Sequence, residues 1–447
     1  MFERPRPRRI QHRARLAFSY LFGLFECTVY RSVMQTRSGA SPVRKGEVGR
    51  KWTMARGILD GLTVIDLTQN VAGPYCSQIL GDLGATVIKI ERPDGGDDTR
   101  AWMPPSVGLH SSTYLALNRN KASICVDIDT AEGSRIVSEL TETADIFVHS
   151  MKPGSAERRG LGWEELRSIN PKLVYCAISA FGSVGPLRSL PGYDPLLQAF
   201  TGVMSTTGNE GEDPVRVGVS LIDMGTGMWA SIGILGSLLA RSTSGVGANV
   251  EASLLDTGVG WMSVFVSNFG ASGEIPKKLG SAMAMTAPYE LFPAADGTVF
   301  IAAGNDRLFA RVCVGLGAPA LGSDPRFKTN PDRVRNRLDL RAELSALVRA
   351  KPAKEVVALL RSAGAPCSEL NSVAEMLAHE QVQAVEIVRP LPVSDHHVVA
   401  LPVKVDGLRG SQFNQPPELG ADTNAVLGKL GYDDQQLAAF RAAGVIA

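Results

Sequence analysis

Two short β-rich runs joined by about one helix of chain restrict what this sequence can fold into. Thr63-Val-Ile-Asp-Leu67 leads into Ala72-Gly73-Pro74, a turn that places proline at the first position of a helix running to about Leu83, with Gly84 as its stop. Thr86-Val-Ile-Lys-Ile-Glu91 then reads as a second strand. Strands linked by a crossover helix lie parallel, because only antiparallel neighbours can be joined by a tight turn. The pattern continues with strands at 123–128, 145–149 and 173–178. Between them fall a helix opened by Asp129-Thr-Ala-Glu132, with capping-box spacing, and another at 163–169. The expectation is an open α/β domain of Rossmann-like type with a parallel sheet. No G-x-G-x-x-G follows the first strand, so a nicotinamide dehydrogenase loses its main support.

The character changes after Ser253-Leu-Leu-Asp256. A helix continues to Asn268, residues 270–284 read as loop, and Pro288-Tyr-Glu-Leu-Phe292, Asp296-Gly297 and residues 298–303 read as strand, turn and strand. Helical segments follow to about Ala363, and residues 423–430 and 433–443 form two closing helices. The expected division is a large α/β domain from 54–260 and 365–447, linkers at 261–280 and 351–364, and a smaller α+β domain at 281–350.

Charge separates the first 53 residues from the rest. They hold ten Arg and two Lys against Glu3, Glu26 and Glu47, so the 46 basic and 45 acidic residues of the chain leave 34 and 42 beyond them, a net of −8. An acidic body argues against nucleic acid as a partner, since phosphate binding needs a basic face. The basic extension allows three readings: a targeting peptide, a disordered arm, or sequence upstream of a start at Met54. The third is favoured, because nothing before Lys51 shares the periodicity that follows. No stretch reaches the roughly 18 apolar residues of a membrane span. The longest candidate, 228–240, is broken by Gly233 and Gly236 and reads as a buried helix, so no membrane partner is expected. The six cysteines lie far apart without a C-x-x-C pair, which fits reduced, mostly buried thiols of a cytoplasmic protein. The six histidines form no H-x-x-x-H pattern, and a metal-free chemistry is the default.

The chemistry-bearing stretch runs from Gly192-Tyr-Asp194 through Pro214-Val-Arg-Val-Gly218 to Asp223-Met-Gly-Thr-Gly227. Asp223 opens an apolar helix that continues through Trp229, Ile232 and Leu235. One reading makes it the N-cap. The other makes it a nucleophile whose ionised form is favoured by the helix N–H groups and dipole. The two are compatible.

From about Gly57 onward the chain resembles the class III CoA-transferases, also called the CaiB/BaiF family. The resemblance rests on Leu62–Leu67 with Ala72-Gly-Pro74, Gly81-Asp-Leu-Gly-Ala85, Val87-Ile-Lys-Ile-Glu-Arg-Pro93, and Asn118-Arg-Asn-Lys121. Pro153-Gly154 with Arg158 and Gly160, Gly192-Tyr-Asp194, Asp223, Pro366-Cys367, Asn371-Ser-Val-Ala374 and the closing segment complete it. Each piece alone is weak; their shared order is specific.

The resemblance implies an enzyme that moves CoA from an acyl-CoA donor to a carboxylic acid acceptor through covalent intermediates on Asp223. It implies no permanently bound cofactor, coenzyme A being substrate. It also implies CoA contacts at Gln69, Val71, Arg92 and Arg158, with Lys121 close to the same pocket. Ser150 and Met151 stand where the family commonly has Asn-Phe, which alters one CoA contact. An ordinary surface arginine is the alternative for Arg92, and a structural salt bridge the alternative for Lys121. The resemblance further implies an interlocked homodimer.

Two rivals remain. A 2-methylacyl-CoA racemase on the same fold needs an acid and a base on opposite faces of the α-carbon. The family's racemases carry histidine where this chain has Tyr193, and a tyrosine hydroxyl is a poor proton acceptor near neutrality. A non-catalytic acyl-CoA-binding protein would not require Asp223. No polyglycine lid precedes the Pro-Tyr-x-x-Phe segment, so formyl-CoA and oxalate are not expected. The Met- and Ala-rich Leu279–Ala284 hints at a less polar acyl group, although such residues more often fill space.

Overall fold

The computed structural model describes residues 57–392, 394–410 and 412–447. The expectations for residues 1–53, and Cys27 with them, lie outside the described residues.

Strand β1 (Thr63–Leu67), helix α1 (Ala72–Asp82) and strand β2 (Thr86–Glu91) form the first crossover unit. Strand β3 (Lys121–Cys125), helix α2 (Ala131–Glu142), strand β4 (Ile146–His149), helix α3 (Trp163–Ile169) and strand β5 (Val174–Ser179) follow. Helix α4 (Asp194–Phe200), helix α5 (Leu221–Ser244) and strand β6 (Ala248–Ser253) complete the layer. The six strands make one sheet in the order β3-β2-β1-β4-β5-β6, and every neighbouring pair is parallel. Successive strands run outward to one side of β1 and then, from β4, to the other. The sheet therefore has a switch point between β1 and β4, where the carboxyl ends of two adjacent strands diverge into loops of opposite course.

Both faces of the sheet are covered, which is why β4 is buried along its whole length. Alternate residues go to opposite sides. Val64, Ile146, Val148 and Cys176 meet Leu80 of α1 and Ile222, Ala230 and Ile234 of α5 on one face. Ile65, Phe147 and Tyr175 meet Ile136 and Leu140 of α2 on the other. The C-terminal segment closes this second face. Helices α11 (Thr423–Lys429) and α12 (Asp434–Ala442) contribute Leu427 and Leu437, and the Asp127 amide donates to the Val445 carbonyl at 2.8 Å.

A separate antiparallel sheet joins β7 (Tyr289–Pro293), β8 (Thr298–Ala302) and β9 (Cys367–Glu369). Its core includes Phe292, Val299 and Ile301 with Phe309 and Val312 of helix α8 (Asp306–Gly315) and Leu344 of helix α9 (Arg337–Arg349). Helix α10 (Ala353–Ser362) adds Val356, Val357 and Leu360 to the same core. Residues 351–364, expected as a linker, are therefore part of this packing unit. Their apolar positions recur at helical spacing and must be buried against something.

Two further expectations are corrected. Helix α2 is capped by Thr130, whose hydroxyl accepts from the Gly133 amide at 3.0 Å, not by Asp129. Helix α5 is covered on one side only: Met228, Trp229, Ile232 and Leu239 are exposed, where a buried helix was expected. Among the described residues it is the one helix long and apolar enough, by length and composition, to cross a membrane, so the expectation that no stretch reaches that length fails as well. Gly233 and Gly236 do not break it.

Candidate active site

Asp223 is the third residue of α5, inside its first turn, and the N-cap is Ser220, which makes no side-chain capping bond. The first-turn amides go elsewhere. Asp194, buried at the start of α4, accepts from the Ile222 amide at 2.7 Å and from the Asp223 amide at 3.1 Å through one carboxylate oxygen. Its other oxygen accepts from Gln198 at 2.5 Å, and Gln198 also accepts from the Val217 amide at 2.8 Å. Asp194 thus caps the helix that carries Asp223 from a distance of 29 residues in sequence.

This arrangement reverses one expectation. The helix N-terminus was expected to favour the ionised Asp223, yet the amides that would do so are taken by Asp194. Burial raises the Asp223 carboxyl, the Asp194 charge raises it further, and it comes to about 7. A carboxyl so placed is a stronger nucleophile once ionised than one held at its ordinary value, and it is about half ionised near neutrality.

Helix packing sets where Asp223 sits. Gly227 lies so close to the first turn of α1 that an added Cβ would come 2.6 Å from the Ala72 carbonyl and 3.2 Å from the Cys76 amide. One turn on, the Ser231 hydroxyl meets the Cys76 carbonyl at 3.4 Å, so α5 and α1 run in the same direction. Asp223, one turn before Gly227, therefore lies on the face directed toward the start of α1 and the β1–α1 turn.

That turn is pinned from below by a buried lattice of charges. Asp66 accepts from the Thr68 amide at 2.9 Å, Lys89 donates to the Thr68 carbonyl at 2.8 Å, and the Asn70 amide donates to Asp97 at 3.2 Å. Lys89 and Asp97 pair at 2.9 Å. Asp66 is held down to about 2: burial opposes its charge, but Lys121, Lys89 and two hydroxyl donors outweigh it.

The positions expected to contact CoA divide into three groups. Gln69, Arg92 and Met151 line one cavity of about 520 Å³ outside the carboxyl ends of β1, β2 and β4, at the switch point. Ser150 bridges the crevice there, its hydroxyl accepting from the Gln69 amide at 3.1 Å. Arg158 lines a second cavity, and Ile128, Asp129 and Arg159 line both, so the two adjoin. Arg92 is half-exposed and already pairs with Asp98 at 2.6 Å.

Val71 and Lys121 line neither of these two cavities. Val71 is buried at the N-cap of α1. The Lys121 ammonium has no exposed side-chain surface and donates to Asp66 at 3.2 Å, the Pro74 carbonyl at 3.0 Å and Asn118 at 2.8 Å. Its alternative, the structural salt bridge, is what the geometry shows. Burial lowers Lys121 to about 8, with Asp66 acting against that fall.

Asp194 and Gln198 are the site residues that sequence reasoning passed over. Gly192-Tyr-Asp194 was read as a motif, but its contact with α5 has no signature in spacing.

Comparison with known proteins adds an independent line. A family model described as CoA-transferase family III matches residues 59–423. The succinyl-CoA:glutarate CoA-transferase of Homo sapiens is 36% identical over 392 residues, covering 87% of this chain and 90% of that protein. The acetyl-CoA:oxalate CoA-transferase of Acetobacter aceti is 39% identical over 321 residues, covering 72% and 82% respectively. Among solved structures, a CAIB/BAIF family protein from Brucella suis superimposes with a TM-score of 0.76 at 35% identity, covering 84% of this chain and all of that one.

Proposed function

This chain belongs to CoA-transferase family III and is a CoA-transferase with coenzyme A thioesters as substrates, and we propose that it transfers CoA between dicarboxylic acids through covalent intermediates on Asp223. The observation that carries the mechanism is a half-buried carboxyl raised to about 7, one turn before the glycine at which α5 touches the first turn of α1.

The steps follow from that group. The ionised Asp223 oxygen attacks the donor thioester carbonyl and the C–S bond breaks, giving CoA thiolate and a mixed anhydride. The thiolate attacks the aspartyl carbonyl, the anhydride C–O bond breaks, and the donor acid leaves as its carboxylate. The acceptor carboxylate then attacks the aspartyl thioester, releasing thiolate and forming a second anhydride. Thiolate attack on the acceptor's own carbonyl gives the new acyl-CoA and frees Asp223. Each step exchanges one activated acyl group for another, which is what covalent catalysis contributes here. The switch-point cavity and its neighbour hold the CoA, with Gln69, Met151 and Arg158 at its contacts. The thioester end crosses the β1–α1 turn toward Asp223.

The dicarboxylate reading is supported by the succinyl-CoA:glutarate relative, whose name pairs two dicarboxylic acids, and by the other relative's acceptor, the dicarboxylate oxalate, although its donor acid is acetate. It replaces the hint of a less polar acyl group. A homodimer is supported by the apolar surface left open on α5, on α6 (Leu254–Trp261) and on α7 (Ser263–Ser272). Trp229, Ile232, Val259, Trp261, Val264 and Phe269 are all exposed there.

The test is acyl exchange followed by mass spectrometry, with succinyl-CoA as donor and a panel of free acids as acceptors, beside Asp223→Ala. Exchange into glutarate that falls at least about 10³-fold in the variant supports the reading. Exchange retained in the variant, or deuterium uptake at the α-carbon of a 2-methylacyl-CoA without exchange, contradicts it.

A further inference from the structure

We infer that Arg216 recognises the distal carboxylate of a dicarboxylate bound at Asp223, and so sets the enzyme's preference for diacids over monoacids. The inference rests on the dicarboxylate reading above and assigns it to a residue.

The stretch from Ser179 to Ser281 contains five basic side chains. Three are engaged: Arg241 pairs with Asp145 at 2.8 Å, Lys277 pairs with Glu210 at 2.9 Å, and Lys278 donates to the Glu212 carbonyl. Arg188 and Arg216 are exposed and pair with no carboxylate among the described residues. Of these two, only Arg216 is tied to the nucleophile. Its neighbour Val217 is held on both sides by Gln198, the amide donating at 2.8 Å and the carbonyl accepting at 3.3 Å. Gln198 donates to Asp194 at 2.5 Å, and Asp194 accepts the Asp223 amide at 3.1 Å. An unbroken chain of hydrogen bonds through buried groups therefore fixes the loop that carries Arg216 to the first turn of α5.

The physical consequence is selectivity. The reacting carboxylate of an acceptor must approach the aspartyl thioester beside the buried Asp194 carboxylate, and its attack releases a second anion, the CoA thiolate. A second carboxylate on the same acid would add repulsion unless a cation meets it. An arginine offers a planar fork matched to a carboxylate, and a free one on a fixed loop loses little on engaging it. The buried Asp194 and Gln198 keep the loop in register, so their contribution is positional, whereas Arg216 touches the substrate.

The test compares glutarate with valerate, which has the same five carbons and one carboxylate, as acceptors from succinyl-CoA in wild type and Arg216→Gln. In a double-displacement reaction the kcat/KM for the acceptor is independent of the donor half-reaction, so the ratio of the two values isolates the second carboxylate. The expected result is a fall in the glutarate-to-valerate ratio on the order of 10- to 100-fold, the worth of a hydrogen bond to a charged group. The change should lie chiefly in KM, with partial recovery in Arg216→Lys. A ratio that stays constant while wild type exchanges, or equal losses for both acids, overturns the role of Arg216 and leaves the transferase reading standing. Absence of exchange into any acid by wild type overturns both.

Discussion

At the scale of single residues, the account turns on two carboxylates of opposite duty. Asp194 is buried and spent on backbone amides, while Asp223 is left without them and raised to about 7. Since the proposed mechanism uses the ionised form, kcat/KM for the donor should fall as pH drops through about 7, which a pH–rate profile reads directly. Replacing Asp194 with Asn keeps an oxygen for the amides but removes a charge that raises Asp223. The acid limb should then move to lower pH, and an unmoved limb would show that burial alone sets it. Stability carries the opposite sign. The unfolded carboxyl titrates near 3.8 and the folded one near 7, so the fold is favoured while both are protonated and loses that advantage as pH rises through 7. Asp223→Asn should therefore melt a few degrees higher than wild type at pH 8, a difference that vanishes near pH 4. The place of Asp223 at a helix start was legible in the sequence, but its raised pKa was not. The sequence pattern shows a carboxylate at a helix start and cannot show which other group already holds the amides.

At the scale of elements, the close approach of α5 to α1 positions Asp223. Gly227 permits it, and a methyl group there would press on the Ala72 carbonyl. Gly227→Ala should cost roughly 1–3 kcal/mol in urea unfolding and lower kcat more than donor KM, because it displaces Asp223 without touching the cavity. The ends of β1, β2 and β3 are tied by buried charges instead of apolar packing. Lys121→Ala should destabilise the fold by about 3–5 kcal/mol by removing the ammonium that pairs with the buried Asp66, where loss of a ligand contact alone would raise KM in a stable protein. Alternation in residues 57–179 made the strands and crossovers legible, since their periods are local. Strand β6 and helix α4 were not foreseen: β6 reads Ala248-Asn-Val-Glu-Ala-Ser253, an edge strand half open to solvent with no strong apolar pattern.

At the scale of the whole molecule, the parallel sheet brings Gln69, Arg92, Ser150 and Met151 to one switch point although they span 83 residues of sequence. Their convergence follows from topology, and from the sequence it was available only through the resemblance. The open apolar face of α5, α6 and α7 points to a second copy. Light scattering should give a dimer mass, and Ile232→Glu should shift it toward the monomer; an unchanged mass would place the interface elsewhere. Covalent participation of Asp223 unites these scales, and oxygen isotope transfer tests it most directly. Turnover with succinyl-CoA and glutarate labelled with ¹⁸O in its carboxylates should leave one acceptor oxygen on Asp223, because the second anhydride breaks on the acyl side. The peptide containing Asp223 should gain about 2 Da per transferred oxygen, and no other peptide should. Exchange that proceeds while this peptide stays unlabelled would contradict the account.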